Sequence, residues 1–260
     1  MEAPKGSRVQ AMISTMRNIG LDVHVIEMNS LSDLNLNSED ILKHLQKEMR
    51  SGRSVVLMGA SKGVPEILAA LIKAKQRKIS LHNLKAFVSL SGTMRGSFLA
   101  DWILKPTFFK LVKPFLESEA KKTGVPFSDL HPGLVTQSTG FLQTYFESRK
   151  VDMPREIPLY QLIGVPTRKV AMAADNMMST LARWLWDTVF FPEYYANDGF
   201  LEYPCNTIAT EWDYPAVSVV LNGTHEITDG DFEQVALSQS SGLERFVSAY
   251  LRTILEDRSL

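Results

Sequence analysis

Disulfide chemistry is excluded at the outset, because the 260-residue chain holds a single cysteine, Cys205. The same scarcity removes any metal site built from several thiolates. Long apolar runs are lacking too: none approaches the ~20 residues needed to span a bilayer. The opening stretch MEAPKGSRVQAMISTMRNIG has no uninterrupted apolar core of the kind a secretion signal needs, so a cytoplasmic location is expected for the chain as written. Charge of one sign is absent as well. With 28 Lys and Arg against 29 Asp and Glu, the formal net charge is -1, and no basic stripe offers a nucleic-acid footprint. There are no internal repeats and no low-complexity tracts. What is present is ordinary for a globular protein: 45% hydrophobic and 22% charged residues. A chain of this length can bury a core without staples and suits one α/β domain, residues 1–260, carrying a sizeable insertion.

Five segments read as buried parallel strands: LDVHVIEM (21–28), SVVLMGA (54–60), KAFVSLSG (85–92), IPLYQLIGV (157–165) and VSVVLNG (217–223). Each is a short run of apolar residues, and most end in glycine or a polar turn. Helical patterns alternate with the early strands. Ser7 is placed to cap a helix reaching about Ile19, Ser38 one reaching about Met49, and a third runs from Lys62 to about Arg77. Near the end, LERFVSAYLRTIL (243–255) also has helical spacing. Strand alternating with helix implies a parallel sheet covered on both faces. The alternation breaks at about 97–156, where helical stretches rich in bulky apolar residues are punctuated by Pro106, Pro114, Pro126 and Pro132. This segment is read as a helical cap or lid over the sheet. A second excursion, 166–216, separates the last two strands.

The stretch VVLMGASKGVPEIL (55–68) runs from strand through a glycine turn into helix. Two chemistries use such letters. A dinucleotide loop needs a further glycine where the backbone approaches pyrophosphate, and an acid about 20 residues on. Here Pro65 stands in that glycine's place, no acid ends KAFVSLSG, and none of the seven tyrosines has a lysine four residues later. The other chemistry is nucleophilic. Gly59 and Gly63 flank Ser61 so that a tight strand-to-helix turn can lift its hydroxyl above the sheet, at a helix amino terminus. Serine needs a histidine to take its proton and an acid to orient that histidine, in the order Ser, Asp or Glu, His. His225 follows the last strand in VSVVLNGTHEITD, and Asp198 lies after the preceding strand in YYANDGFLEYP. Asp175, in AMAADNMM, is the alternative acid.

Taken together, these landmarks resemble the lipase-type α/β-hydrolases. SLSGTMRGSFLADW (89–102) is similar to the segment that leads to the lid in bacterial lipases, with Thr93-Met94 in place of the usual Pro-His. N-D-G-F (197–200) and G-T-H-E (223–226) are similar to the acid and histidine loops of those enzymes. The resemblance implies an α/β-hydrolase fold, a mainly parallel sheet with flanking helices and a helical lid. It also implies Ser61 as nucleophile, His225 as general base and Asp198 as the orienting acid, with no cofactor and no metal. The backbone N–H of Lys62 would be one oxyanion donor. The second donor normally follows an earlier strand. Only MEAPKG precedes Ser7, so that N-terminal strand and its loop are expected to be missing.

Two aromatic clusters are expected first to pack onto the core, and beyond that bear on the substrate. Trp102, Ile103, Phe108, Phe109, Leu111, Val112, Phe115 and Leu116 crowd the cap, and RWLWDTVFFPEYY (183–195) lies near Asp198. Both flank the expected mouth and favour an apolar ester or lipid. The cap face is also suited to resting on a lipid interface. Within the fold class, a thioesterase, an amidase or a catalytically silent protein binding a hydrophobic ligand or partner stays open.

Overall fold

The structure, a computed structural model, describes residues 8–29, 32–123, 126–164, 208 and 212–221. Four parallel strands form one sheet in sequence order: β1 (Val55–Ala60), β2 (Leu84–Leu90), β3 (Leu159–Gly164) and β4 (Ala216–Leu221). These are four of the five expected strands, each within two residues of its expected start. The helices are α1 (Arg8–Asn18), α2 (Leu34–Met49), α3 (Gly63–Gln76), α4 (Phe98–Ile103), α5 (Pro106–Thr123), α6 (Phe127–Val135) and α7 (Thr139–Glu147).

Side-chain alternation divides the core between the two sheet faces. On one face Leu57, Phe87 and Leu159 join a cluster with Leu42 and Leu45 of α2, Leu68 and Leu71 of α3, and Phe146 of α7. On the other, Val88, Leu90, Tyr160 and Leu162 pack with Ile13 and Met16 of α1. The chain therefore passes from one face to the other between α1 and α2. Helix α3 buries ten of its fourteen residues, from Val64 through Ile72 and Ala74, because it is wedged between the sheet and α2.

Residues 21–28 correct one expectation: they form no strand. The segment makes the crossing between faces, with Leu21 and Val23 on the α1 side and Met28 on the α2 side. It is held by side chains instead of a ladder. His24 lies 3.1 Å from Glu48 and 3.2 Å from Asp22, Arg53 pairs with Asp22, and Arg17 donates to the Val23 carbonyl. Alternating apolar residues satisfy two faces equally well with or without main-chain pairing, so the pattern alone did not specify a strand.

The start of α2 is a second correction. Asp33, not Ser38, is the cap: its carboxylate accepts from the N–H groups of Asn35 (2.7 Å) and Leu36 (3.0 Å). A charged acceptor suits the positive helix end, and Ser38 lies inside the helix with its hydroxyl donating to the Asn35 carbonyl. The excursion between β2 and β3 is helical, as expected. Helix α7 belongs to the core, whereas α5 packs on α4 and α6. The expected helix at 243–255 lies outside the described residues.

Candidate active site at the turn after the first strand

Ser61 occupies the link between β1 and α3 with φ +49°, a left-handed backbone that few non-glycine residues adopt. Main-chain bonds on both sides hold it there. Its N–H donates to the Leu90 carbonyl (3.0 Å), and its carbonyl accepts from Val64 N–H and Thr93 N–H (both 3.2 Å). The turn is therefore tied to the end of β2 and to the loop beyond it. A strained, over-determined residue of this kind is a recurrent mark of functional turns. Gly59 is required sterically, since a Cβ there would fall 2.6 Å from Ile67 Cδ1. The other flanking glycine differs from expectation: a Cβ at Gly63 would meet nothing within 4 Å among the described residues.

Lys62 is the N-cap of α3. Its backbone N–H, the donor foreseen for an oxyanion, is one of the helix-end groups that no intrahelical carbonyl can satisfy. Its side chain turns into a polar network. Lys62 Nζ donates to the Ser32 carbonyl (2.8 Å) and pairs with Glu66 one turn along. Glu66 also accepts from Asn37 Nδ2 (2.7 Å), and the same Asn37 nitrogen donates to the Asn29 carbonyl (2.9 Å). Glu66 is 2% exposed. Burial pushes its carboxyl above the usual range, with Asp33 adding to the rise, while Lys62 and Asn37 pull the other way. This network escaped sequence reading, although Lys62 and Glu66 stand at the i,i+4 spacing of a helical ion pair.

The loop after β2 carries a second strained residue, Ser91, with φ +43°. Its buried hydroxyl and that of Ser89 have no hydrogen-bond partner among the described residues. Beyond them Thr93 Oγ1 donates to Gln137 Oε1 (2.8 Å) and Ser97 N–H to the Gln137 carbonyl (2.9 Å). Asp101 accepts from both Thr139 N–H (2.9 Å) and Thr139 Oγ1 (2.5 Å) at the start of α7. Gly96 (φ +91°) lies so close to this helix start that a Cβ would approach Thr139 Cα to 2.5 Å. The start of the helical excursion is thus fastened to the loop that also holds Ser61. Of its aromatic residues, Trp102, Phe108 and Phe109 are half-buried, a rim position and not a core one.

Asp198, Asp175 and His225 lie outside the described residues, as does the 183–195 cluster. No helix among the described residues is long and apolar enough to cross a membrane.

No protein-family model matches the sequence, and no curated protein matches it. Solved structures do. A Bacillus licheniformis lipase in its mature form matches with a TM-score of 0.62 at 17% identity, covering 86% of this chain and 80% of that one. The fold is that of the α/β-hydrolases. The propeptide form of the same lipase superposes with a TM-score of 0.68 at 15% identity, over 96% of this chain and 48% of that one. A metagenomic carboxyl esterase gives 0.67 at 15% identity, over 96% and 70%. This chain thus spans about half of the lipase's propeptide form. At such identities the likeness is one of fold.

Proposed function

We propose that this chain is a serine hydrolase of apolar carboxylic esters, like a lipase or carboxylesterase, working through an acyl-serine intermediate. The observation that carries the reading is the strained Ser61 turn at the amino terminus of α3, in a fold shared with a lipase and a carboxyl esterase. Ser61 Oγ attacks the ester carbonyl carbon while His225 takes its proton and Asp198 orients the imidazole. The Lys62 N–H faces the developing oxyanion. Collapse breaks the carbon–oxygen bond, and the alcohol leaves with the proton from His225. Water then repeats the sequence on the acyl-serine, releasing the acid and restoring the Ser61 hydroxyl. The whole of 1–260 acts as one domain, with 97–156 as the lid and its aromatic rim contacting the acyl chain or a lipid surface.

A silent hydrolase-fold protein that binds a hydrophobic ligand is the second reading. It is favoured by the unpaired 21–28 segment, since among the described residues no strand beside β1 brings a loop with a second oxyanion donor.

A fluorophosphonate probe separates the two. Labelling that disappears in Ser61→Ala and falls strongly in His225→Ala supports the hydrolase; a folded protein that never labels supports the silent binder. Comparing Asp198→Ala with Asp175→Ala assigns the acid.

A further inference from the structure

The Ser61 turn has a feature the triad does not use: a buried carboxylate one helical turn beyond the proposed oxyanion donor. Glu66 and the Lys62 N–H both occupy the first turn of α3, where the helix field favours one negative charge. An oxyanion forming at Lys62 would have to share that field with Glu66. The sequence places an ammonium on the donor residue itself. Lys62 Nζ does not reach outward to solvent but folds back onto Glu66 and the Ser32 carbonyl. Asn37 completes the arrangement by donating to Glu66 and to the Asn29 carbonyl, so Asn29 is tied to the same turn.

We propose that Lys62 and Glu66 form a charge-balancing pair for the Ser61 turn, with Lys62 neutralising the buried Glu66 carboxylate so that it does not oppose an oxyanion at the Lys62 N–H. Lys62 thereby has two separate duties, its main chain as donor and its ammonium as counter-ion, and Glu66 is a positioning residue for that ammonium. The inference rests on the esterase reading above. It concerns a buried carboxylate in the first turn of the helix that carries the donor, where one uncompensated charge changes a reaction rate by about tenfold or more.

The test is the rate at which a fluorophosphonate labels Ser61 in the full chain, with thermal melts run in parallel. Lys62→Met keeps the backbone donor and removes the counter-ion, and it should slow labelling about tenfold. Adding Glu66→Gln to Lys62→Met should restore the rate to within about threefold of the parent, because no charge then needs balancing. A double variant as slow as Lys62→Met would show that the pair only shapes the turn, and the inference would fall. Equal labelling by the parent and Lys62→Met would overturn it too, leaving the esterase reading standing. A parent protein that never labels would overturn both. Should Lys62→Met alone not fold, the double variant is compared with Glu66→Gln: similar rates support the pair, and a tenfold loss shows the ammonium acting independently of Glu66 and refutes it.

Discussion

Helices α3 and α5 make an instructive pair. Helix α3 has fourteen residues and buries ten; the eighteen-residue α5 has no fully buried side chain among those described. Their compositions differ accordingly. ILAALI at 67–72 is apolar on every side, as a helix clamped between a sheet and a neighbour must be, whereas α5 spreads Lys110, Lys113 and Glu117 among its aromatics. The longer helix is therefore the less committed one. It packs on α4 and α6, while α3 is part of the main core. The lesson is a division of labour: a core-packed platform carries Ser61, and a less buried helical rim carries the surface that would meet an apolar substrate.

The contrast breaks most sharply at the serine. Ser61→Ala should reduce ester hydrolysis at least about ten-thousandfold with an unchanged melting temperature, measured with a chromogenic short-chain ester. Equal activity in the variant would remove the chemistry from the platform altogether.

Core truncation comes next. Leu68→Ala should destabilise by about 2–5 kcal/mol in urea unfolding, as a fully buried leucine in a close-packed core does. Phe108→Ala, on the half-buried rim, should cost about 1 kcal/mol or less while raising KM for long-chain esters more than for short ones. Comparable losses from the two would mean that α5 belongs to the core after all.

The fastening between the platform and the helical excursion is open to a glycine comparison. Gly96→Ala combines a left-handed backbone with a clash against Thr139 and should cost about 2–4 kcal/mol. Gly20→Ala has the same backbone problem, φ +89°, but meets nothing within 4 Å among the described residues, and should cost only about 1 kcal/mol.

The smallest effect distinguishes two carboxylates on neighbouring helices. Glu39, beside Arg77 and Lys73, has its carboxyl held down to about 2 by hydrogen bonds from both. The folded state releases that proton more readily than the unfolded chain, so Glu39 contributes stability above the ordinary carboxylate range that is lost as pH falls toward 2. Glu66 has the opposite sign. Burial raises its pKa, so the folded state holds the proton to higher pH than the unfolded chain does, and its contribution declines as pH rises above the ordinary carboxylate value. Melting curves of Glu39→Gln and Glu66→Gln against pH should therefore diverge from the parent in opposite senses near neutrality. Parallel curves would contradict the environments described for the two groups.

The same contrast explains what could be read from letters alone. The β1 turn was legible because Gly59, Ser61 and the following helix form one local pattern, and the apolar run into α3 needed no distant information. Four strands were legible for the same reason. LDVHVIEM was misread because pairing depends on which element arrives beside it, not on its own alternation. Asp33 was overlooked as a cap because Ser38 stood nearer the obvious periodic stretch. Asn37 and Glu66 lie 29 positions apart, so their bond follows from α2 docking on α3 and leaves no trace in either segment. The assignments of Asp198 and His225 stay with the resemblance that produced them.

The tethered segment 21–28 has a consequence for how copies of this chain behave toward each other. An outermost strand with unused main-chain donors invites a neighbour to zip onto it. Here β1 is outermost among the described residues, and Arg53, two residues before it, ties Asp22 of the 21–28 segment beside it through side chains and not through another rung. Ionic straps weaken as electrolyte is added, so salt should loosen the hold of Arg53 and Glu48 on 21–28 while its apolar contacts through Leu21, Val23 and Met28 stay.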